Sequence, residues 1–200
     1  MKLKYHQKMF DLLGIMPEFS AENYKLIADF EAEHRLQLPA ALSEWYALEN
    51  NEDVLRQILP IGHHIVRLYN AFQNTPSFQN LKGNRPFYIL SENQGVWHMA
   101  VQLLSNNPPV FIRLNEVDKS WKLHAHSFSD WLYAWAWDYE IMERDLNCFI
   151  TEKSNNSLEK YLIDYDEKGP ETFYGNTPYQ GERFVRVIKK GKRLTVILQR

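Results

Sequence analysis

Between Ser20 and Glu33 the apolar residues Tyr24, Ile27 and Phe30 recur every three positions, while Glu22, Asp29, Glu31 and Glu33 fall largely elsewhere. That pattern predicts an amphipathic helix, with Pro17 upstream and Ser20 able to cap the first turn. A second helix should follow at once. Pro39 is pre-organised for a first helical position, Leu42, Trp45, Tyr46 and Glu49 succeed it at helical spacings, and Asn50-Asn51 is the expected stop. Upstream, Leu3 to Leu13 reads as a short helix closed by Gly14, with Met9, Phe10, Leu12 and Leu13 as its apolar side.

From Ile65 onward the period changes. Phe87 to Leu90, Val96 to Leu104, Val110 to Leu114 and Trp121 to Ala125 are short runs rich in β-branched and aromatic residues, separated by turn chemistry at Glu92 to Gly95, Asn106 to Pro109 and Asn115 to Lys119. Connections this short predict antiparallel neighbours. In the last run, strict alternation would put Trp121, Leu123 and Ala125 on a buried face, with Lys122 and His124 on a wet one. His63-His64 reads as a surface turn after Pro60 and Gly62.

Trp131 to Tyr139 has aromatics on every second residue, as a strand would, yet the polar run from Asp138 to Asp145 continues it without a turn. A helix from about Ser129 to Leu146 is the better reading, with Ser127 and Ser129 available as caps. Its wheel puts Phe128, Leu132, Trp135, Tyr139 and Met142 on one side and Tyr133, Trp137 and Ile141 on another, so the second side needs a cover. The last quarter supplies one. After a loop at Ser154 to Ser157, Arg183 to Ile188 and Arg193 to Gln199 read as a β-hairpin around the basic turn Lys189-Lys190-Gly191-Lys192. Phe173, Tyr174 and Tyr179 are the candidate contacts over Trp137 and Ile141, because large bare apolar patches are rare on monomers.

The elements so placed define an α+β fold: a central antiparallel twisted sheet, helices before it, a long helix after it and a C-terminal hairpin. Residues 1–150 form the main domain and 151–200 an extension packed on it. With 44% apolar and 24% charged residues the chain has the composition of a soluble globular protein, and no run is long and apolar enough for a membrane span or secretory leader. A cytoplasmic location is therefore expected. Cys148 has no partner for an internal disulfide and reads as a core residue. A formal charge of −2 argues against broad phosphate-backbone binding, so no direct nucleic-acid contact is expected. Charge is uneven along the chain, however: residues 1–60 hold six Lys/Arg against ten Asp/Glu, and residues 151–200 hold ten against seven. An acidic face near the first helices would steer a basic partner.

Chemistry-bearing clusters are sparse. His124 and His126 lie two apart and could face one way, but Lys122 on that face would repel a cation and no third ligand can be placed beside them. There is no Gly-rich phosphate loop, Gly-x-Ser-x-Gly elbow or His-Glu-x-x-His helix, and no spacing identifies a general acid or base. No metal, cofactor or catalytic residue is assigned, and the chain is expected not to be an enzyme. The candidate partner-binding residues are Glu31, Glu33, Glu44, Glu49, Glu52 and Asp53 on the acidic side, with Tyr133 and Trp137 as aromatic contacts of the type favoured in interfaces.

The order of parts resembles the SUKH superfamily, named after a fungal cell-wall assembly regulator and containing many bacterial proteins. The matching residues are Ile27 and Phe30 before Leu38-Pro39, then Leu42, Trp45 and Tyr46, the strands from Phe87 to Ala125, and Ser127-Phe128 with Trp131-Leu132. The likeness covers about Ser20 to Tyr139. It departs at Glu49-Asn50-Asn51-Glu52, where the family often has an Asn-Gly turn. The resemblance implies a non-catalytic α+β binding module. Many bacterial members look like immunity proteins that neutralise a toxin, often a nuclease or other enzyme; a housekeeping scaffold or regulator built on the same fold is the alternative.

Overall fold

A computed structural model describes residues 3–59, 63–72, 86–92, 94–114, 120–144, 149–152, 165–174 and 182–198. Four helices come first: α1 (Gln7–Leu13), α2 (Ala21–His34), α3 (Ala40–Tyr46) and α4 (Asn51–Ile58). Gly14 closes α1 in the left-handed conformation (φ 67°) that costs glycine least, its N–H donating to the Phe10 carbonyl. Ser20 caps α2, its Oγ accepting from the Asn23 N–H at 3.4 Å. The chain does not stop at Asn50-Asn51. Helix α3 ends earlier, at Tyr46, and Asn51 opens α4 while its Nδ2 donates to the Leu48 carbonyl at 3.0 Å. Asparagine ends helices and begins them for the same reason, a short side chain that hydrogen-bonds nearby backbone.

The strands are β1 (His63–Ile65), β2 (Phe87–Glu92), β3 (Trp97–Val101), β4 (Val110–Leu114), β5 (Lys122–Ala125), β6 (Phe149–Glu152), β7 (Glu167–Tyr174), β8 (Glu182–Lys189) and β9 (Lys192–Leu198), with a 3₁₀ turn at Leu68–Asn70. Helix α5 (Phe128–Arg144) follows β5. Among the described residues, the nine strands join one sheet in the order β1-β2-β3-β4-β5-β7-β8-β9-β6, antiparallel except where β6 runs parallel to β9. The α+β architecture expected above is the one observed. The His63-His64 pair is a short edge strand on β2 rather than a turn, with the His63 ring tilted against Trp97 at 5.0 Å.

The expected alternation in β5 fails. Val110 pairs with Ala125 but Phe111 with Leu123, so a bulge at His124 shifts the register. One extra residue inverts the faces on either side of it. Ala125 therefore joins the main core and Trp121 packs with Tyr88 and Ala100 on the opposite side of the sheet. Leu123 is 37% exposed, whereas His124 is buried. Its Nδ1 lies 2.8 Å from the Phe173 carbonyl on β7, to which it donates, and burial, aided by the Arg186 charge, lowers its pKa from 6.5 to about 4.

Helix α5 starts where Ser127 caps it, its Oγ accepting the Asp130 N–H at 3.1 Å. Phe128, Trp131, Leu132 and Ala136 enter the main core with Leu42, Trp45, Phe87, Leu90 and Met99. Met142, assigned to that face by the helical wheel, is 56% exposed. The second side of α5 is covered as the hydrophobic pattern required: Trp137 is 1% exposed and Ile141 is buried. The cover differs in its details. Gly169 on β7 packs against the Trp137 ring, so close that an added Cβ would sit 3.0 Å from Cζ3. The Arg193 guanidinium stacks over the same ring, 5.7 Å from its centroid. Phe173 instead meets His126 edge-on. Tyr179, the loop at Ser154 to Ser157 and Cys148 lie outside the described residues.

Beside Trp137, the Arg186 guanidinium on β8 is 2% exposed and bidentate on Asp138 of α5, Nε to Oδ1 at 2.9 Å and Nη2 to Oδ2 at 2.5 Å. Its Nη1 donates to Thr172 Oγ1 at 3.1 Å, and Thr195 Oγ1 donates to Asp138 Oδ1 at 2.9 Å. Helix α5 and strands β7, β8 and β9 thus meet at one charge pair, its guanidinium buried and its carboxylate half-buried. The hairpin itself matches its expected place, and Lys190 (φ 51°) and Gly191 (φ 72°) both take the left-handed conformation that a two-residue type I′ turn demands.

Candidate functional site

A 530 Å³ cleft lies between α2, the α3–α4 connection and the segment running from β1 into the 3₁₀ turn. Its volume lies within the roughly 300–1,000 Å³ of ordinary ligand clefts. The floor reaches the core: Phe30, Trp45, Leu55, Phe128 and Trp131 are buried, and Tyr46 and Ile65 are partly so. Leu26 and Tyr69 stand exposed on the walls.

The mouth is acidic. Asp29 and Glu33, one turn apart on α2, face it together with Glu49, Glu52 and Asp53 around the start of α4. Glu52 and Asp53 occupy the first turn of α4, where the helix dipole favours negative charge. Against these five carboxylates the described residues of the lining hold one cation, Arg67, which is itself bound to Glu52 at 3.1 Å. On the floor, burial first and the Glu52 charge second push the Tyr46 phenol well above its usual pKa, so it stays protonated, its hydroxyl 3.4 Å from the Val66 carbonyl. The site therefore offers an apolar, aromatic base under a negative rim.

Four of the acidic residues singled out from sequence, Glu33, Glu49, Glu52 and Asp53, line this cleft. The others do not. Glu44 accepts the backbone N–H groups of Lys4, Tyr5 and His6 at 2.7, 2.8 and 3.1 Å, tying the N-terminal arm to α3. Glu31 accepts the Leu38 N–H at 2.7 Å and shapes the α2–α3 turn. Both carboxylates have structural work, so neither reads as a partner contact. Trp137 is corrected on the same ground: it is buried under β7 and β9, and Tyr133 is half-buried, edge-on to it at 5.7 Å. Asp29 was missed, although the helical spacing Leu26, Asp29, Glu33 is a visible signal for a shared wall.

Behind the floor lies His6, whose ring packs edge-on against Trp45 and Phe128 at 5.6 and 5.7 Å. Its Nε2 donates to the Ala41 carbonyl at 2.8 Å, which leaves Nδ1 unprotonated, and burial lowers its pKa. Among the described residues no group of three or more His, Cys, Asp or Glu is placed to hold a metal ion, and no helix is long and apolar enough to cross a membrane.

A scan against protein-family models, a search of curated proteins and a search of solved structures each find no match to this chain. The fold and site define an α+β protein whose first helices frame an acid-rimmed apolar cleft.

Proposed function

We propose that the protein is a non-catalytic binding module that docks a protein partner on the acidic cleft, and that the partner is a toxin it neutralises. The observation that carries the docking role is the cleft itself, with five carboxylates around an aromatic floor and a single, already paired guanidinium. Apolar floors ringed by charge are how interfaces combine affinity with steering. The resemblance of the Leu38-Pro39 and Ser127-Phe128 elements to the SUKH superfamily supports the immunity role, since many bacterial members look like inhibitors of toxic enzymes. The charge supports a basic target such as a nuclease.

The test is capture of the products of neighbouring genes with this protein as bait, followed by co-expression. Direct binding with rescue of cells from the bound product is the expected outcome. Binding to a harmless product would transfer the role to an endogenous scaffold, and capture of no neighbour would defeat the immunity reading. The association rate should fall as salt is added, and should fall similarly when Asp29, Glu33 and Glu49 are changed together to Asn, Gln and Gln.

A further inference from the structure

The layering of the cleft, resting on the docking role proposed above, narrows what enters it. An arginine or lysine inserted head-first would carry its charge past the carboxylates at the mouth and onto the floor of Trp45, Phe128 and Trp131. Desolvating a cation there, away from its counter-charges, opposes that arrangement. The reverse order fits. A large apolar side chain would fill the floor, and cations on either side of it in the partner would meet carboxylates from both walls, Asp29 and Glu33 on α2 and Glu49 and Asp53 beside the start of α4. The exposed Leu26 and Tyr69 would flank the anchor as it enters.

We propose that the cleft recognises a partner segment with a large apolar or aromatic anchor flanked on both sides by Lys or Arg. The anchor supplies affinity through buried area, and the flanks supply orientation and on-rate. This surface selects a sequence pattern rather than general basicity.

The experiment titrates the full chain with four probes: a peptide with a central Phe between arginines, the same peptide with Phe replaced by Ser, the same with citrulline for arginine, and spermine. Calorimetry and tryptophan fluorescence are the readouts, since Trp45 and Trp131 line the floor. The Phe→Ser change should weaken binding roughly ten- to a hundredfold, the range that burial of such a side chain implies. Citrulline should weaken it several-fold and flatten the salt dependence. The Asp29→Asn, Glu33→Gln, Glu49→Gln protein should reproduce the citrulline result with the parent peptide, and because these three carboxylates are exposed its fold should not change. Equal binding of the Ser or citrulline peptide, spermine binding as tightly as the parent, or no binding by the parent would each overturn the proposal. Failure here with a toxin still captured would leave the immunity reading standing on another surface. Peptide binding without a captured toxin would do the opposite.

Discussion

Across β2–β5 the helices are joined to the sheet by apolar side chains: Leu42, Trp45, Phe87, Leu90, Met99, Phe128, Trp131 and Leu132 form one buried cluster. Across β7–β9 the junction adds a polar lock to its apolar contacts: beside the buried Trp137, the side chains of Arg186, Asp138, Thr172 and Thr195 interlock, and His124 donates to Phe173 nearby. An apolar junction gains from every square ångström and tolerates small misplacements. A buried ion pair contributes little net stability against a hydrophobic substitute, but losing one member leaves an uncompensated charge. The first half of the sheet is thus held by area alone and the second by area together with geometry. The contrast suits the strand contacts, since β5 and β7 share only the Ala125–Thr172 register pair, and α5 has to bridge them.

The strongest way to break this comparison is Asp138→Ala. Stranding Arg186 should cost about 3–5 kcal/mol, with amide exchange rising in β7–β9 while β2–β4 stay protected, and Arg186→Met in the same chain should restore much of the loss. Uniform exchange across both halves would show one cooperative unit instead. Acid offers a milder test. Unfolded, His124 takes up its proton near pH 6.5; folded, it does so only near 4, so the unfolded state binds more protons between those values. Stability is fully present above about pH 6.5 and falls by up to about 3 kcal/mol as pH drops to about 4. His6, also lowered by burial, adds a slope of the same sign in the apolar half. Urea midpoints across this window should therefore flatten in His124→Gln without becoming level. The smallest effect is expected at Gly169→Ala, where the new methyl meets the Trp137 ring and the Arg186 Cβ at 3.0 and 3.2 Å. Overpacking of this kind should cost about 1–3 kcal/mol by urea denaturation.

Much of the apolar half was legible in the sequence because its signals are local. Val110 to Leu114 is a strand over those residues, Gly14 closes α1, Ser20 caps α2 and Ser127 caps α5. In the polar half the β8–β9 hairpin was legible for the same reason, and the rest was not. Gly169-Pro170 reads as a strand breaker, yet it sits within β7 where the register shifts between Lys168 and Glu171, and the missing side chain admits Trp137. Strand β6 is four residues with a parallel partner far along the chain, which no local pattern can announce. At the cleft, Glu49 to Asp53 stood out as a cluster, but their meeting with Asp29 and Glu33 depends on how α2 packs. Glu44 and Glu31 look identical to those residues in sequence and differ only in the backbone amides they hold.

The pairing of β6 with β9 has a consequence in time. Phe149 leaves the ribosome more than forty residues before Thr195, the residue it must lie beside. At about 5–20 residues per second, β6 waits on the order of seconds for a neighbour. By then β1–β5 and α5 have all been synthesised, so the helical half with its acidic cleft has time to assemble before the last strand of the sheet exists.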